Sequence, residues 1–425
     1  MKREIKTIEV SAVRFRDDLY PRIEKNPALV AQYAEDLDTL PPIEINQRNE
    51  LIDGWHRWTA YKKTGAETIP VFVTETQSDI HLYELAIERN ATHGLALNAA
   101  DKKEAAVKIY LMTSVSERWG KRKDLARILG VSEATLSGML SRTDKEERER
   151  RNRRIRDWWL QYYTQQEIAE REGISKGQIN EICSEFSDLK KLNKSEQAAA
   201  EHATEFEPPI YNIWKQQIKT GGIGHPGNTE IRWVDNLLYL YTEPFDVVVD
   251  PFAGSGSTLD ICRKRWRRCW LSDHHPIVER EEEIRRWDVL EGLPPLSRWK
   301  DVKLVYLDPP YWKQAAGKYT DDPVNLANMS LDKFESTVAD LILAFAQKLS
   351  PGSHIALVMQ PTQWNAPNRR FTDHITAIIS RIELALEIRI SCPYESQQCN
   401  AQMVDWAKEN KKTLVLTREI TVWRV

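Results

Sequence analysis

The chain has 425 residues, a formal net charge of −3, 41% hydrophobic and 29% charged residues. That balance weighs against a disordered or fibrous chain and fits several folded domains. A near-neutral total gives no general attraction to nucleic acid, so any such contact must come from local patches. No apolar run approaches the roughly 18 residues of a membrane span. The opening Met1-Lys2-Arg3 leads into no signal-peptide core, and a cytoplasmic protein without a membrane partner is expected. Cys183, Cys262, Cys269, Cys392 and Cys399 form no Cys-x-x-Cys pair, so reduced thiols and no metal site are expected.

Residues 1–100 read as a small α/β domain. Ile5 to Val13 has strand composition, Ala28 to Leu40 has apolar residues at helical spacing, and Ile43 to Ile45 and Leu51-Ile52 read as short strands. Asp53-Gly54 turns into a helix from about Trp55, Gly65 caps it, and Ile69 to Val73 is the returning strand. Basic groups on the first turn of such a helix suit an anion, which makes His56 and Arg57 candidate phosphate ligands. The stretch resembles the N-terminal domain of ParB-type partition proteins, whose Gly-Glu-Arg-Arg box binds nucleotide phosphates at this place. Leu85 to Gly94 resembles that family's Glu-Asn box. The resemblance implies a nucleotide such as CTP as a partner. Here the box reads Gly54-Trp55-His56-Arg57, without the Glu and with fewer arginines, so hydrolysis is not expected.

Residues 101–190 read as a helical DNA-binding region. Asp101 to Trp119 is helix-like. Leu125, Ala126, Leu129, Val131, Leu136 and Leu140 then fall where a helix-turn-helix needs core, with Gly130 at the turn and Ser132 as N-cap. Thr135, Ser137 and Arg142 would point outward to DNA. A second copy follows: Thr164 and Glu167 form a capping box, Gly173 turns, Ser175 caps, and Ile179 and Ile182 anchor the second helix. Its outward residues are Lys176, Gln178 and Asn180. Two packed helices without DNA are the plainer alternative for either copy. Between the copies, Arg142 to Arg156 holds eight Lys/Arg against four Asp/Glu, a solvated face that also suits phosphates. Residues 191–207 are polar, with an alanine run, and read as a linker.

Residues 208–425 carry the chemistry. A helix over Trp233 to Leu238 leads into the strand Val247 to Val249, which ends in Asp250-Pro251. Gly254 and Gly256 then make a turn that a ligand can approach closely, and a helix starts near Thr258. Arg268 to Leu271 is the next strand. Asp273 after it stands where nucleoside-binding α/β folds grip ribose, and Asp288 beside Trp287 is placed to accept from an adenine amine. Leu304 to Leu307 is a buried strand that stops at Asp308-Pro309-Pro310-Tyr311, because proline cannot continue a ladder. That loop offers one carboxylate, free proline carbonyls and one aromatic plane. A polar loop with Lys313, Lys318 and Tyr319, a helix over Leu331 to Leu349 and a strand over Ser353 to Met359 follow. Ile382 to Ile390 and Lys412 to Val425 read as a closing antiparallel pair around the loop Ser391 to Asn400.

These two motifs together resemble the amino-methylating DNA methyltransferases, which use S-adenosylmethionine. The resemblance implies a Rossmann-like α/β domain with a mixed seven-stranded sheet, preceded here by the ParB-like and helix-turn-helix parts. By position, Asp250, Phe252, Gly254 and Gly256, with Thr258, would bind cofactor, and Asp308, Pro309, Pro310 and Tyr311 would hold the target amine. Gly224 to Asn228 resembles the family's cofactor-flanking His-Pro box. Double-stranded DNA is the implied substrate and adenine N6 the implied target, from Asp rather than Ser at 308. Cytosine N4 is the alternative, and a DNA-binding partition or regulatory protein with a vestigial methyltransferase fold is another. An amine of RNA or protein is a third substrate, which the helix-turn-helix pair disfavours. No cysteine lies near the target loop, which argues against cytosine C5 chemistry, and no acidic cluster in the first domain suggests a nuclease. The reading allows a homodimer.

Overall fold

The computed structural model describes residues 4–92, 97–115, 117–215, 230–313, 325–363, 370–393 and 401–425. The His-Pro box, Lys318, Tyr319, Cys399 and the end of the Glu-Asn-like box lie outside them. The chain forms two compact units, Met1–Arg151 and Asn152–Val425, rather than the four segments expected.

The first unit opens with strands β1 (Ile5–Glu9), β2 (Ile43–Ile45), β3 (Leu51–Asp53) and β4 (Thr68–Val73) in the order β1-β4-β2-β3. Helices α1 (Pro27–Ala34) and α2 (Trp55–Thr64) accompany this sheet, and Ile43, Ile45, Trp58, Tyr61, Ile69 and Val71 fill its core. Helices α3 (Asp79–Thr92), α4 (Ala99–Met112) and α5 (Arg118–Leu129) share a second core with the start of α6 (Glu133–Leu160). Leu125, Ala126, Leu129, Leu136 and Leu140 are buried there, as the helix-turn-helix spacing requires. The charged run is not a separate connection. It lies within α6, a single helix of 28 residues, where Arg142–Glu146 and Lys145–Glu149 pair one turn apart. The division between the units falls inside this helix.

In the second unit α7 (Gln165–Glu172) and α8 (Lys176–Ser184) form the second helix-turn-helix; α7 starts at the predicted Thr164/Glu167 box, and α8 at the predicted N-cap Ser175, which Gln178, expected to face DNA, completes into a second box. Its core includes Ile168, Ile179 and Ile182 and continues into Trp266, just before β6. The guanidinium of Arg268 stacks on Trp159 and Tyr162, each at 4.5 Å. The module is therefore fastened to the sheet, not strung before it. The expected linker is also structural. It contains α9 (Lys194–Ala200), whose last carbonyls accept from Arg265 and Arg267.

Helix α10 (Ile231–Tyr241) leads into a seven-stranded sheet: β5 (Val247–Asp250), β6 (Arg268–Asp273), β7 (Arg285–Arg286), β8 (Val302–Leu307), β9 (His354–Met359), β10 (Ala385–Pro393) and β11 (Thr417–Arg424). Their order is β10-β11-β9-β8-β5-β6-β7. β7, β6, β5, β8 and β9 are parallel, β11 runs antiparallel to β9, and β10 pairs antiparallel with β11. Helix α11 (Ser257–Lys264) follows β5, and α12 (Leu331–Ala346), α13 (His374–Ile379) and α14 (Ala401–Glu409) complete the described helices. Strand residues alternate between two cores. Val247, Val249, Val305, Leu307, Ile355 and Leu357 meet α12 and α13. Val248, Leu304, Tyr306, Ala356 and Val358 meet α10 and α11. This period of two, apolar on both faces, is what a parallel sheet covered on both sides demands.

α10 is fixed by a buried ion pair. Arg265, fully buried, donates two hydrogen bonds to Asp235 at 2.8 and 2.7 Å, and His202 lies 3.0 Å from the same carboxylate. Burial pushes the Asp235 carboxyl up, but the bonds from His202 and Arg265 outweigh it and hold it at about 2. Asp235→Ala strands a buried guanidinium and should cost about 3–5 kcal/mol in urea unfolding. A loss below about 1 kcal/mol would show that Arg265 finds other acceptors.

Candidate active site

Three carboxylates sit at the carboxyl ends of three adjacent parallel strands: Asp308 after β8, Asp250 at the end of β5 and Asp273 at the end of β6. Asp250 is 1% exposed. Its Oδ1 accepts from the Phe252 N–H at 2.9 Å and its Oδ2 from the Thr258 hydroxyl at 2.6 Å. Asp273 binds the turn from the other side, accepting from the N–H of Gly254 at 3.0 Å and of His275 at 2.9 Å. Between them Gly254 (φ 50°) and Gly256 (φ 83°) take left-handed backbone angles, and Gly256 starts α11. A Cβ on Gly256 would make only ordinary contact with Ile284, so it is the positive φ, not crowding, that favours glycine there.

Beside this turn, His274, Arg286, Trp287, Asp288 and Glu291 line a cavity of about 390 Å³, a volume in the range of small-molecule sites. Asp288 Oδ2 lies 3.1 Å from His274 Nδ1, and its Oδ1 accepts from Leu290 N–H at 2.9 Å. The neighbouring Trp287 N–H donates to the Asp273 carbonyl at 3.1 Å.

On the β8 side the ladder stops at Leu307, as the two prolines require. The Tyr311 hydroxyl donates to Asp308 Oδ1 at 2.9 Å. Trp312 anchors the loop from beneath: its indole N–H donates to the Met329 carbonyl at 2.9 Å, and its ring meets His374 edge-on at 5.7 Å. His374, fully buried, bridges Thr362 Oγ1 (2.8 Å) and Glu335 Oε1 (3.1 Å). The target loop thus rests on a satisfied polar network.

Burial pushes the Asp250 carboxyl up, and the negative charges of Asp308 and Asp273 add to it. The hydrogen bonds from Thr258 and Phe252 only partly offset this, leaving it at about 7. A site with this surplus of carboxylate suits a cationic ligand.

A match to the DNA methylase family N6_N4_Mtase covers residues 120–279. The chain is similar to the N6/N4 DNA methylases. The matched stretch contains the Asp250 to Thr258 turn and Asp273, and the Asp308 to Tyr311 loop lies beyond it. S-adenosylmethionine is the methyl donor that goes with this methylase family, and the cationic sulfonium fits the carboxylate surplus. Over 110 residues the chain is 36% identical to the transcriptional regulator NovG of Streptomyces niveus, covering 25% of this chain and 33% of NovG. The chain thus spans about a third of that relative. Among solved structures, ParB of Caulobacter crescentus with CTP-γ-S is 19% identical over 32% of this chain and 77% of that one, with a TM-score of 0.20. The mitomycin 7-O-methyltransferase MmcR is 11% identical over 69% and 99%, with a TM-score of 0.26. Overlaps of that size carry over neither fold nor ligand.

Within this methylase-like site Asp250 and Thr258 differ from their expected place. Both are buried, with Asp250 accepting from the Thr258 hydroxyl and the Phe252 N–H, so they shape the glycine turn from within. Asp273, Asp288, Phe252 and the two glycines line the same end of the sheet. Arg418, which has no local signal in the sequence, stands over Tyr311 with Trp233 also within reach of its guanidinium; β11 is far from the Asp308 to Tyr311 loop in sequence, and only the antiparallel return brings Arg418 there.

The remaining candidates separate. Thr135, Ser137 and Arg142 belong to the first unit, and Lys176, Gln178 and Asn180 to the second. Ser137 and Lys176 are exposed. Thr135 is bonded to Ser132, Arg142 to Glu146, and Asn180 to Gln165, while the Gln178 carbonyl closes its capping box. His56 and Arg57 do not form a phosphate cradle. His56 is buried and its Nε2 accepts from Asn26 N–H, and burial holds its pKa down. The Arg57 guanidinium is taken by the carbonyls of Pro41 and Pro42 and by Asp53.

A carboxyl at about 7 in the fold, against 3.8 as the ordinary value, means the folded state holds a proton that the unfolded state has lost. Stability of the cofactor-free protein therefore falls as pH rises from about 4 through about 7. Asp250→Asn keeps the bond from the Phe252 N–H at its oxygen, turns the Thr258 bond round so that the amide donates to the hydroxyl, and removes that penalty. Its melting temperature should exceed that of the wild type at pH 8, with the gain shrinking toward pH 5. A gain independent of pH would mean that Asp250 is ionised throughout.

Proposed function

We propose that this protein methylates DNA, moving the methyl group of S-adenosylmethionine to the N6 amine of an adenine flipped out of the duplex. The observation that carries the reading is the adjacency of the Gly254–Gly256 turn on β5 and the Asp308 to Tyr311 loop on β8, neighbouring strands of one parallel sheet. When bound, the cofactor supplies an electrophilic methyl on a positively charged sulfur. Asp273 and Asp288 would hold its nucleoside, and the backbone of the glycine turn would pack against its amino-acid end.

A base within a duplex cannot present its amine in line with that methyl, so it must leave the stack, at a cost of a few kcal/mol. Asp308 and the Pro309 carbonyl accept the two amine N–H bonds. This orients the nitrogen lone pair and raises its electron density. Tyr311 stacks on the base. The rate comes from position and from negative charge facing a nitrogen that becomes positive. After transfer the extra proton leaves the nitrogen, with Asp308 as the nearest acceptor. Cytosine N4 offers the same two N–H groups; aspartate at 308, by the family resemblance, favours adenine.

The helix-turn-helix pair supports DNA as substrate, as does the identity with a transcriptional regulator. ParB-like nucleotide binding is not part of the reading, since His56 and Arg57 are engaged elsewhere. Asp308→Ala should lower methyl incorporation into unmethylated DNA by about 10²–10³-fold while leaving DNA affinity within about twofold. Turnover near the wild-type level would remove Asp308 from the mechanism. Lys176→Ala, at the exposed start of α8, should weaken binding to all sequences alike and reduce the salt slope by about one. An unchanged slope would move the DNA contact off this helix.

A further inference from the structure

The closing strand β11 carries a charged residue on an otherwise apolar face. Arg418, Ile420 and Val422 alternate toward α10, and Ile420 and Val422 are fully buried there. Register sets the height of Arg418. Glu419 pairs with Met359 of β9, and Leu357 of β9 pairs with Leu307, the last residue of β8. Arg418 therefore stands at the level where β8 gives way to the target loop. Its guanidinium carbon lies 5.3 Å from the centre of the Tyr311 ring and 6.0 Å from that of Trp233. The far end of the Tyr311 ring is held by the bond from its hydroxyl to Asp308.

Resting on the methyltransferase reading, we propose that Arg418 is a positioning residue for the target base: it stacks on one face of Tyr311, fixes the plane of the ring and leaves the opposite face for the base. A planar guanidinium over an aromatic face is attracted by the ring's negative centre and adds few lost rotamers once packed. Among the described contacts, the cation over its face and Asp308 at its hydroxyl both bear on the ring. The arrangement also solves an electrostatic problem. The amine nitrogen becomes positive as the carbon–nitrogen bond forms. A guanidinium on the base side would oppose that charge; with the Tyr311 ring between them, cation and amine stay apart while Asp308 remains next to the nitrogen. Misplacing the base by an ångström is enough to cost about 100-fold.

The test compares Arg418→Met, which keeps the stem but not the guanidinium, with Arg418→Lys, which keeps a cation over the ring. Cofactor Kd is read by calorimetry on the full chain, and kcat and KM on unmethylated plasmid DNA with tritiated cofactor. Arg418→Met should keep the cofactor Kd within about twofold and lower kcat by about 10–100-fold, and Arg418→Lys should recover part of that loss. Unchanged kcat in Arg418→Met overturns the proposal alone. So does a loss of cofactor affinity as large as the loss of kcat, because the guanidinium then serves the cofactor or the fold. A wild-type protein that methylates no DNA overturns the functional reading and this proposal with it.

Discussion

The site is organised around a carboxyl buried at a strand end, Asp250, with two further carboxylates on the neighbouring strand ends adding to the cost of its charge. Asp308, Asp250 and Asp273 are brought together because β8, β5 and β6 are adjacent and parallel, so their carboxyl ends open into one crevice. The protein answers part of the cost with hydrogen bonds from Thr258, Phe252, Gly254 and His275. Burial is the larger part of that cost, and what the bonds do not offset holds the Asp250 carboxyl at about 7. Under the proposed function a cationic cofactor would complete the balance, and the same electrostatics would favour a developing positive charge on the target nitrogen. Binding and chemistry draw on one field.

The frame around this crevice is correspondingly rigid. Asp-Pro sequences at 250–251 and 308–309 end both strands without a further ladder bond. Trp312, His374, Glu335 and Thr362 hold the target loop from inside the α12 and α13 layer, while Asp235 and Arg265 lock α10 against the turn that precedes β6. The second helix-turn-helix shares a core with Trp266, and Arg268 stacks on Trp159 and Tyr162. A candidate DNA-binding helix is thus mounted on the same body as the catalytic sheet.

Much of this was legible in the chain. Val247 to Asp250 and Leu304 to Asp308 announce buried strands that stop at a carboxylate, and the Thr164/Glu167 box and the N-cap Ser175 mark the starts of α7 and α8. What escaped notice depends on partners distant in sequence. β7 is two residues long and exists only because Ser272 and Asp273 pair with it. α9 has the composition of a linker, and its role comes from two arginines that bind its last carbonyls. His56 and Arg57 looked like an anion site because local sequence shows the helix start but not the carbonyls of Pro41 and Pro42 or the amide of Asn26. Asp250 and Thr258 matched a cofactor motif, and burial turned both into supports. Arg418 had no local signal at all; register across three strands puts it beside Tyr311.

The most direct measurement is the chemical identity of the product. Purified protein is incubated with unmethylated duplex DNA and S-adenosylmethionine, the DNA is digested to nucleosides, and these are separated by mass spectrometry. The account expects N6-methyladenine, absent when Asp308 is replaced by alanine. N4-methylcytosine would keep the strand-end chemistry and correct the base, whereas DNA without any added methyl, from protein shown to bind the cofactor, would contradict the account.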